Sequence, residues 1–269
     1  MTDRGRMLLR NFAGLGATDT SCFLGQWPYR LGNAADVDGL RAYAARLGLR
    51  SVWVSHLASL FGFDTRTGND AALAACAGDP LFRLFATIDP GQPSWHTELE
   101  WAAAAGFHGI RVAPGFHGRQ PAQLQPVLDA CQQHHLPLQL IFRLDDFRVR
   151  HPLSPAVDPQ LHLVADVIRS CGETPVLLSG LNLAEWLELG RHLGDHVPRQ
   201  VRLDLWHMNG PTHVADGLGN DPGRWVFGSG FPIQTPEATA LQLAASTLDE
   251  DDVRAIVSGN ASAMFAERG

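Results

Sequence analysis

Short apolar runs rich in β-branched residues alternate along the whole chain with longer runs whose apolar positions recur at helical spacing. The strand-like runs are ATDTSCFLG (17–25), SVWVSHL (51–57), LFRLFATIDP (81–90), GIRVAPG (109–115), PLQLIFRLDD (137–146), PVLLSGL (175–181), VRLDLWHM (201–208) and RWVFGSGFP (224–232). Between them lie amphipathic segments such as ADVDGLRAYAARLG, in which Val37, Leu40, Ala44 and Leu47 fall on one helical face before a stop at Gly48. Repeated βα units imply a parallel sheet, and eight strands is the number that closes one. The competing open doubly wound sheet would place Gly-x-Gly-x-x-Gly after its first strand, and no such motif is there. The expectation is an α/β fold, a single (β/α)8 TIM barrel over residues 1–269, with its active site at the C-terminal strand ends.

Alternation along each strand then sorts side chains between helices and lumen. In the fifth strand Gln139, Arg143 and Asp145 oppose Leu138, Leu140, Phe142 and Leu144; Arg111 turns inward in the fourth, Asp204 in the seventh, and Asp19, Ser21 and Phe23 share a face of the first. Buried charges need partners. Arg111 and Arg143 are therefore expected to pair with carboxylates from Asp19, Asp145 and Asp204, either as a structural network or as a floor that grips a ligand carboxylate. His56, His117 and His207 fall at strand ends near the mouth, as does Asp145. Asp145, His207 and His56 are the candidate acid and base groups, while Arg111, Arg143, Asp204, Trp27 and His117 are the candidate substrate contacts.

Composition removes several alternatives. All 21 basic residues are arginine, which excludes a Schiff-base lysine and a carboxylated lysine bridging two metals. A net charge of −7 without basic runs argues against nucleic acid as a partner. Cys22, Cys76, Cys131 and Cys171 are too scattered for a zinc finger or a disulfide framework. Neither a signal-peptide core nor an apolar run of membrane-spanning length occurs, so the sequence reads as a cytoplasmic protein with reduced thiols and no membrane partner.

D-x-x-x-x-x-G with W-P-x-R (Asp19, Gly25, Trp27, Pro28, Arg30), the strand GFHGIRVAP (106–114) and the ending VFGSGFP followed by SGNASAMF give the chain a likeness over nearly its whole length. It resembles the amidohydrolase-related metal-dependent hydrolases, the group of decarboxylase-like and pyrone-dicarboxylate lactonase-like barrels. That resemblance implies metal ligands in a His-x-His on the first strand, a histidine near the end of the sixth and an aspartate on the eighth. Here Ser21 and Phe23 occupy the first pair, PVLLSGLN offers Ser179, Gly180 and Asn182, and Gly230 stands at the aspartate position. The expectation is a branch without the family's metal or any other cofactor. It would act as a hydrolase or lyase on a small carboxylate-bearing molecule. The alternative is an inactive pseudoenzyme or ligand-binding protein, and Trp27 and Tyr29, read as exposed aromatics, leave room for a homo-oligomer.

Overall fold

The structure is a computed structural model and describes residues 2–118, 121–194, 196–208 and 221–265. Its strands are β1 (Thr18–Gln26), β2 (Ala34–Ala35), β3 (Ser51–His56), β4 (Phe82–Thr87), β5 (Gly109–Val112), β6 (Leu138–Ile141), β7 (Val176–Ser179), β8 (Val201–Asp204) and β9 (Trp225–Val226). They hydrogen-bond in the order β2-β1-β3-β4-β5-β6-β7-β8-β9, all parallel except the two-residue β2 on the end of β1. The ring closes through backbone bonds between β1 and the segment after β9: Thr20 N to Phe227 O at 3.0 Å, Gly230 N to Ser21 O at 2.9 Å and Phe23 N to Phe231 O at 2.9 Å. The expected (β/α)8 barrel is therefore present. Among the described residues no helix is long and apolar enough to cross a membrane.

Local chemistry sets the helix ends. The helix Val37–Leu47 starts where the Asp36 side chain accepts from Gly39 N at 2.8 Å, and it stops at Gly48 in the left-handed region, φ 63°. A Cβ at Gly48 would lie 2.0 Å from the Ala13 carbonyl oxygen, so glycine is needed there both for its conformation and for close approach to an N-terminal helix, Asp3–Ala13. That first helix was not among the expected elements. Its Phe12 packs against Phe227 at 4.9 Å in the layer between sheet and helices.

One irregularity rearranges the first strand. Asp19 pairs with Val52 but Cys22 pairs with Val54, so Thr20 and Ser21 together face the single residue Trp53 in a β-bulge. Asp19 and Cys22 consequently both turn outward, while Ser21 and Phe23 keep to the lumen. Outside, Asp19 accepts from Tyr43 Oη at 2.5 Å, Ser229 Oγ at 2.5 Å, Ser229 N at 3.1 Å and Ser21 N at 3.0 Å. Uniform alternation had put Asp19 inside; the extra residue moves it to the helix side.

The lumen is built in three layers. Trp53, Phe85, Leu177 and Val226 fill the N-terminal end together with Ala261, Met264 and Phe265 from the closing helical segment. Ser21, Arg111, Gln139, Ser179 and Asp204 form a buried polar middle. Phe23, Trp27, Leu57, Ile141, Leu144 and Trp206 cap it with an apolar cluster. The C-terminal mouth is thus filled by side chains, not open to the floor.

Candidate functional site

Arg111 organises the middle layer from β5. Its Nε donates to Gln139 Oε1 at 2.6 Å, Nη1 to Cys22 O at 2.7 Å, and Nη2 to Thr20 O and Trp53 O at 2.9 and 3.0 Å. The Phe23 and Phe85 rings lie 4.8 and 5.5 Å from the guanidinium carbon. Arg111 is inward as expected, but its hydrogen-bond partners are carbonyl dipoles and an amide, with no carboxylate among them. Burial lowers its pKa to about 10, which still leaves it charged near neutrality.

Gln139 carries the network across the barrel, donating to Ser179 Oγ at 2.6 Å and Ser21 Oγ at 2.9 Å. Ser21 donates to Asp204 Oδ2 at 2.5 Å, and the other carboxylate oxygen accepts from Gly180 N and Trp206 N, each at 3.3 Å. Burial pushes the Asp204 carboxyl up to about 6, with these donors opposing it. Above, Gly230 has φ 72°, and a Cβ there would fall 1.9 Å from Trp206 Nε1. The indole takes the space a side chain at position 230 would need, and Phe23 packs beside it at 5.7 Å.

The remaining sequence candidates sit around the rim. β6 ends at Ile141, so Arg143 and Asp145 lie beyond the strand whose alternation had placed them. Arg143 bonds Glu185 and lies 2.9 Å from Asp158; Arg150 holds Asp158 at 2.6 Å and Asp145 at 3.1 Å. Arg143 therefore pairs with carboxylates, but with two contributed by other segments and not with Asp19, Asp145 or Asp204. Burial raises the Asp145 carboxyl while Arg150 opposes the shift. His207 is buried, stacks on Trp206 at 5.4 Å and approaches Gln234 Nε2 at 3.3 Å. Burial, with the neighbouring Arg143 charge adding to it, pushes its imidazole down to about 3, so the ring is neutral. His56 is half-buried, its Nδ1 accepts from Ala58 N at 3.0 Å, and burial lowers its pKa. His117 lies 4.0 Å from the Asp89 carboxylate, on a helical turn after β5. Trp27, expected to be exposed, is 1 % exposed, ringed by Tyr29, Phe61 and Phe116.

These residues do not converge on one open site. What opens to solvent at the C-terminal rim is a cleft of about 430 Å³ lined by Trp27, Arg30, Asn33, Asp145, Arg148 and Gln234 among others. Its charges are mostly neutralised within the chain, Asp145 by Arg150 and Arg148 by Asp146 at 2.5 Å. Arg30 is exposed and its guanidinium makes no ion pair among the described residues. The sequence held a signal for it in W-P-x-R, but alternation says nothing about a loop residue.

An eight-stranded parallel barrel with polar side chains collected at the strand ends is the architecture of many hydrolases and lyases. The sequence assigns it more narrowly: residues 32–266 match the family model described as Amidohydrolase, and the chain belongs to that family. No curated protein matches the sequence. Among solved structures, 5-carboxyvanillate decarboxylase from Sphingomonas paucimobilis aligns with TM-score 0.72 at 16% identity over 94% of this chain and 99% of its own. A dihydroxybenzoic acid decarboxylase from Polaromonas, with bound manganese and the inhibitor 2-nitroresorcinol, aligns with TM-score 0.71 at 15% identity over 93% and 97%. A 2-pyrone-4,6-dicarboxylic acid hydrolase, so described provisionally, from Pseudomonas putida gives TM-score 0.66 at 15% identity over 95% and 99%. At these identities the likeness is one of fold.

Proposed function

We propose that this amidohydrolase-family barrel works without the family's metal and binds a small carboxylate in the rim cleft, with Arg30 as the anion-gripping group. The observation that carries this reading is the middle of the lumen. Ser21, Phe23 and Gly230 offer one hydroxyl, one ring and no side chain where metal ligands are expected, and the polar atoms there already bond one another. Among the described residues, no three His, Cys, Asp or Glu side chains come together in a way that could hold a metal ion. That donor set does not fit a zinc or manganese centre, which needs about three nitrogen, sulfur or carboxylate ligands. The manganese and aromatic-acid chemistry of the structural neighbours therefore supports the carboxylate class of ligand without supplying a mechanism here.

Of the two readings open at sequence level, a binding protein fits the geometry better than a hydrolase or lyase. His207 is sealed under the cap, and Asp145 is held by Arg150. One observation favours residual catalysis: Asp145 lines the cleft, where its carboxyl group stands within reach of a bound molecule.

The test is titration of the purified protein with benzoate, 2,6-dihydroxybenzoate and short dicarboxylates by calorimetry, with elemental analysis of the same sample. Expected are substoichiometric metal, saturable carboxylate binding and at least about a tenfold loss of affinity in Arg30→Ala, since a hydrogen bond to a charged group contributes roughly 1.5–3 kcal/mol. Stoichiometric metal, or carboxylate binding indifferent to Arg30→Ala, overturns the proposal. Turnover abolished by Asp145→Asn would move the protein to the enzyme reading.

A further inference from the structure

At the N-terminal end of the strands, opposite the rim cleft, two arginine heads share one turn. Arg202 on β8 pairs with Leu177, which belongs to the lumen's N-terminal layer. Its Nη1 donates to Arg199 O and, at 3.5 Å, to Val201 O. Arg224, just before β9, donates from Nη1 to the same Val201 O and to Pro198 O, each at 3.1 Å. Two guanidinium nitrogens thus lie within 3.5 Å of one carbonyl oxygen. A single carboxylate answers them: the exposed Asp221 accepts from Arg224 Nε at 3.0 Å. Arg202 makes no ion pair among the described residues. Where Arg111 places Nε, Nη1 and Nη2 on acceptors, Arg202 leaves Nε buried with no partner, and its Nη2, which solvent reaches, bonds nothing in the chain. Burial lowers the Arg202 pKa and the neighbouring Arg224 charge adds to that, with Asp221 opposing. The head is a partly desolvated cation without a counter-charge of its own, an arrangement that costs free energy until an anion joins it.

We infer that Arg202 and Arg224 form an oxyanion site whose ligand is a phosphate group. A guanidinium fork matches phosphate oxygens two at a time, and a tetrahedral anion offers oxygens to two forks at once, where a carboxylate fills one. The carbonyls of Pro198, Arg199 and Val201 hold both heads in place before any ligand arrives, which lowers the ordering cost of binding. Two guanidinium groups against one carboxylate leave a local excess of positive charge in a chain whose net charge is −7, so the attraction belongs to this turn and not to the surface at large. Orthophosphate and the phosphate of an ester present the same oxygens to the two heads. The site uses none of the rim's side chains and is independent of the carboxylate reading.

The experiment is calorimetric titration of the full chain with inorganic phosphate, methyl phosphate and acetate at one ionic strength set by chloride. It is repeated on Arg30→Ala, so that the rim cleft's own anion grip is removed, and circular dichroism checks that each variant is folded. Expected is a saturable phosphate site that persists in Arg30→Ala and weakens at least about tenfold in Arg202→Met. Asp221→Asn, which removes the one opposing charge, should tighten it by about threefold. Should Arg202→Met fail to fold, the sign of the Asp221→Asn effect decides. Tighter binding of methyl phosphate supports the site with a phosphomonoester as its occupant, and tighter binding of inorganic phosphate supports it with the free ion. Absence of saturable phosphate binding, its loss in Arg30→Ala, or indifference to both Arg202→Met and Asp221→Asn overturns the proposal. So does acetate bound as tightly as phosphate, since the two heads would then read carboxylates.

Discussion

The lumen and the rim each bury arginine and aspartate, and they solve the problem differently. In the lumen Arg111 is held by three backbone carbonyls and Gln139, while Asp204 is held by a hydroxyl and two backbone amides. At the rim Arg143 and Arg150 interlock with Asp145, Asp158 and Glu185. Charges fixed by neutral dipoles depend on the backbone staying where it is. Charges fixed by opposite charges have alternatives when one partner is lost. The two regions should therefore respond unequally to the same kind of substitution.

The largest effect is expected at Arg111. Arg111→Met removes every guanidinium donor at once: Thr20 O keeps its bond from Gln139 Nε2 at 3.1 Å, but Cys22 O, Trp53 O and Gln139 Oε1 each lose a buried charged donor, at about 1–3 kcal/mol apiece. The variant should lose about 4 kcal/mol or more in urea unfolding, or fail to accumulate in folded form; a loss below about 1 kcal/mol would mean that the dipole cage contributes little. Arg143→Ala should cost less, about 2 kcal/mol, because Arg150 still neutralises Asp158 and Glu185 keeps its capping bond to Asn182 N at 2.9 Å. A double-mutant cycle with Glu185→Gln, read by the same melts, should show a coupling of about 1 kcal/mol.

The smallest effects separate Asp204 from His207 by pH. Asp204 titrates near 6 against an ordinary 3.8, so the fold binds its proton more tightly than the unfolded chain does. Its contribution is present at low pH and is lost as pH rises through about 4 to 6. His207 has a folded value of about 3 against 6.5, so its neutral ring contributes fully above 6.5 and that contribution is lost as pH falls toward 3. Between about pH 4 and pH 6 the two slopes oppose. Asp204→Asn should gain about 1–2 kcal/mol at neutral pH and become more acid-sensitive. His207→Gln should instead gain stability on acidification from about pH 7 to about pH 5, as urea midpoints across that range would show.

The barrel was legible because each of its strands is a short apolar run set off by turn residues, and this period survives any detail of the lumen. Arg111, Gln139 and Asp204 were legible for the same reason, since they lie inside regular strands. Asp19 was not, because a bulge leaves no signature in the hydrophobic pattern. Arg143 and Asp145 were misread as lumen groups because alternation was extended past Ile141, where the backbone has already left the strand. Their partners Asp158, Glu185 and Arg150 come from loops and a helix start, and their meeting is a fact of tertiary packing. The filled mouth was half visible: Phe23 and Gly230 were legible as positions without a donor atom, but only the packed structure reveals Trp206 as the side chain that fills the space between them.

The bulge at Thr20 and Ser21 acts on β1 as a change of phase acts on a wave. Before it, odd-numbered positions face the helices; after it, even-numbered ones do. Loss of Thr20 or Ser21 would absorb the bulge and leave Asp19 and Cys22 facing the helices, whereas ironing the bulge out with every residue kept would turn Asp19 into the lumen. The bulge thus acts as a slack link, taking up one residue so that the strand on either side keeps its partners on β3, and residue-by-residue matching of this strand to another has meaning only once the position of the bulge has been fixed.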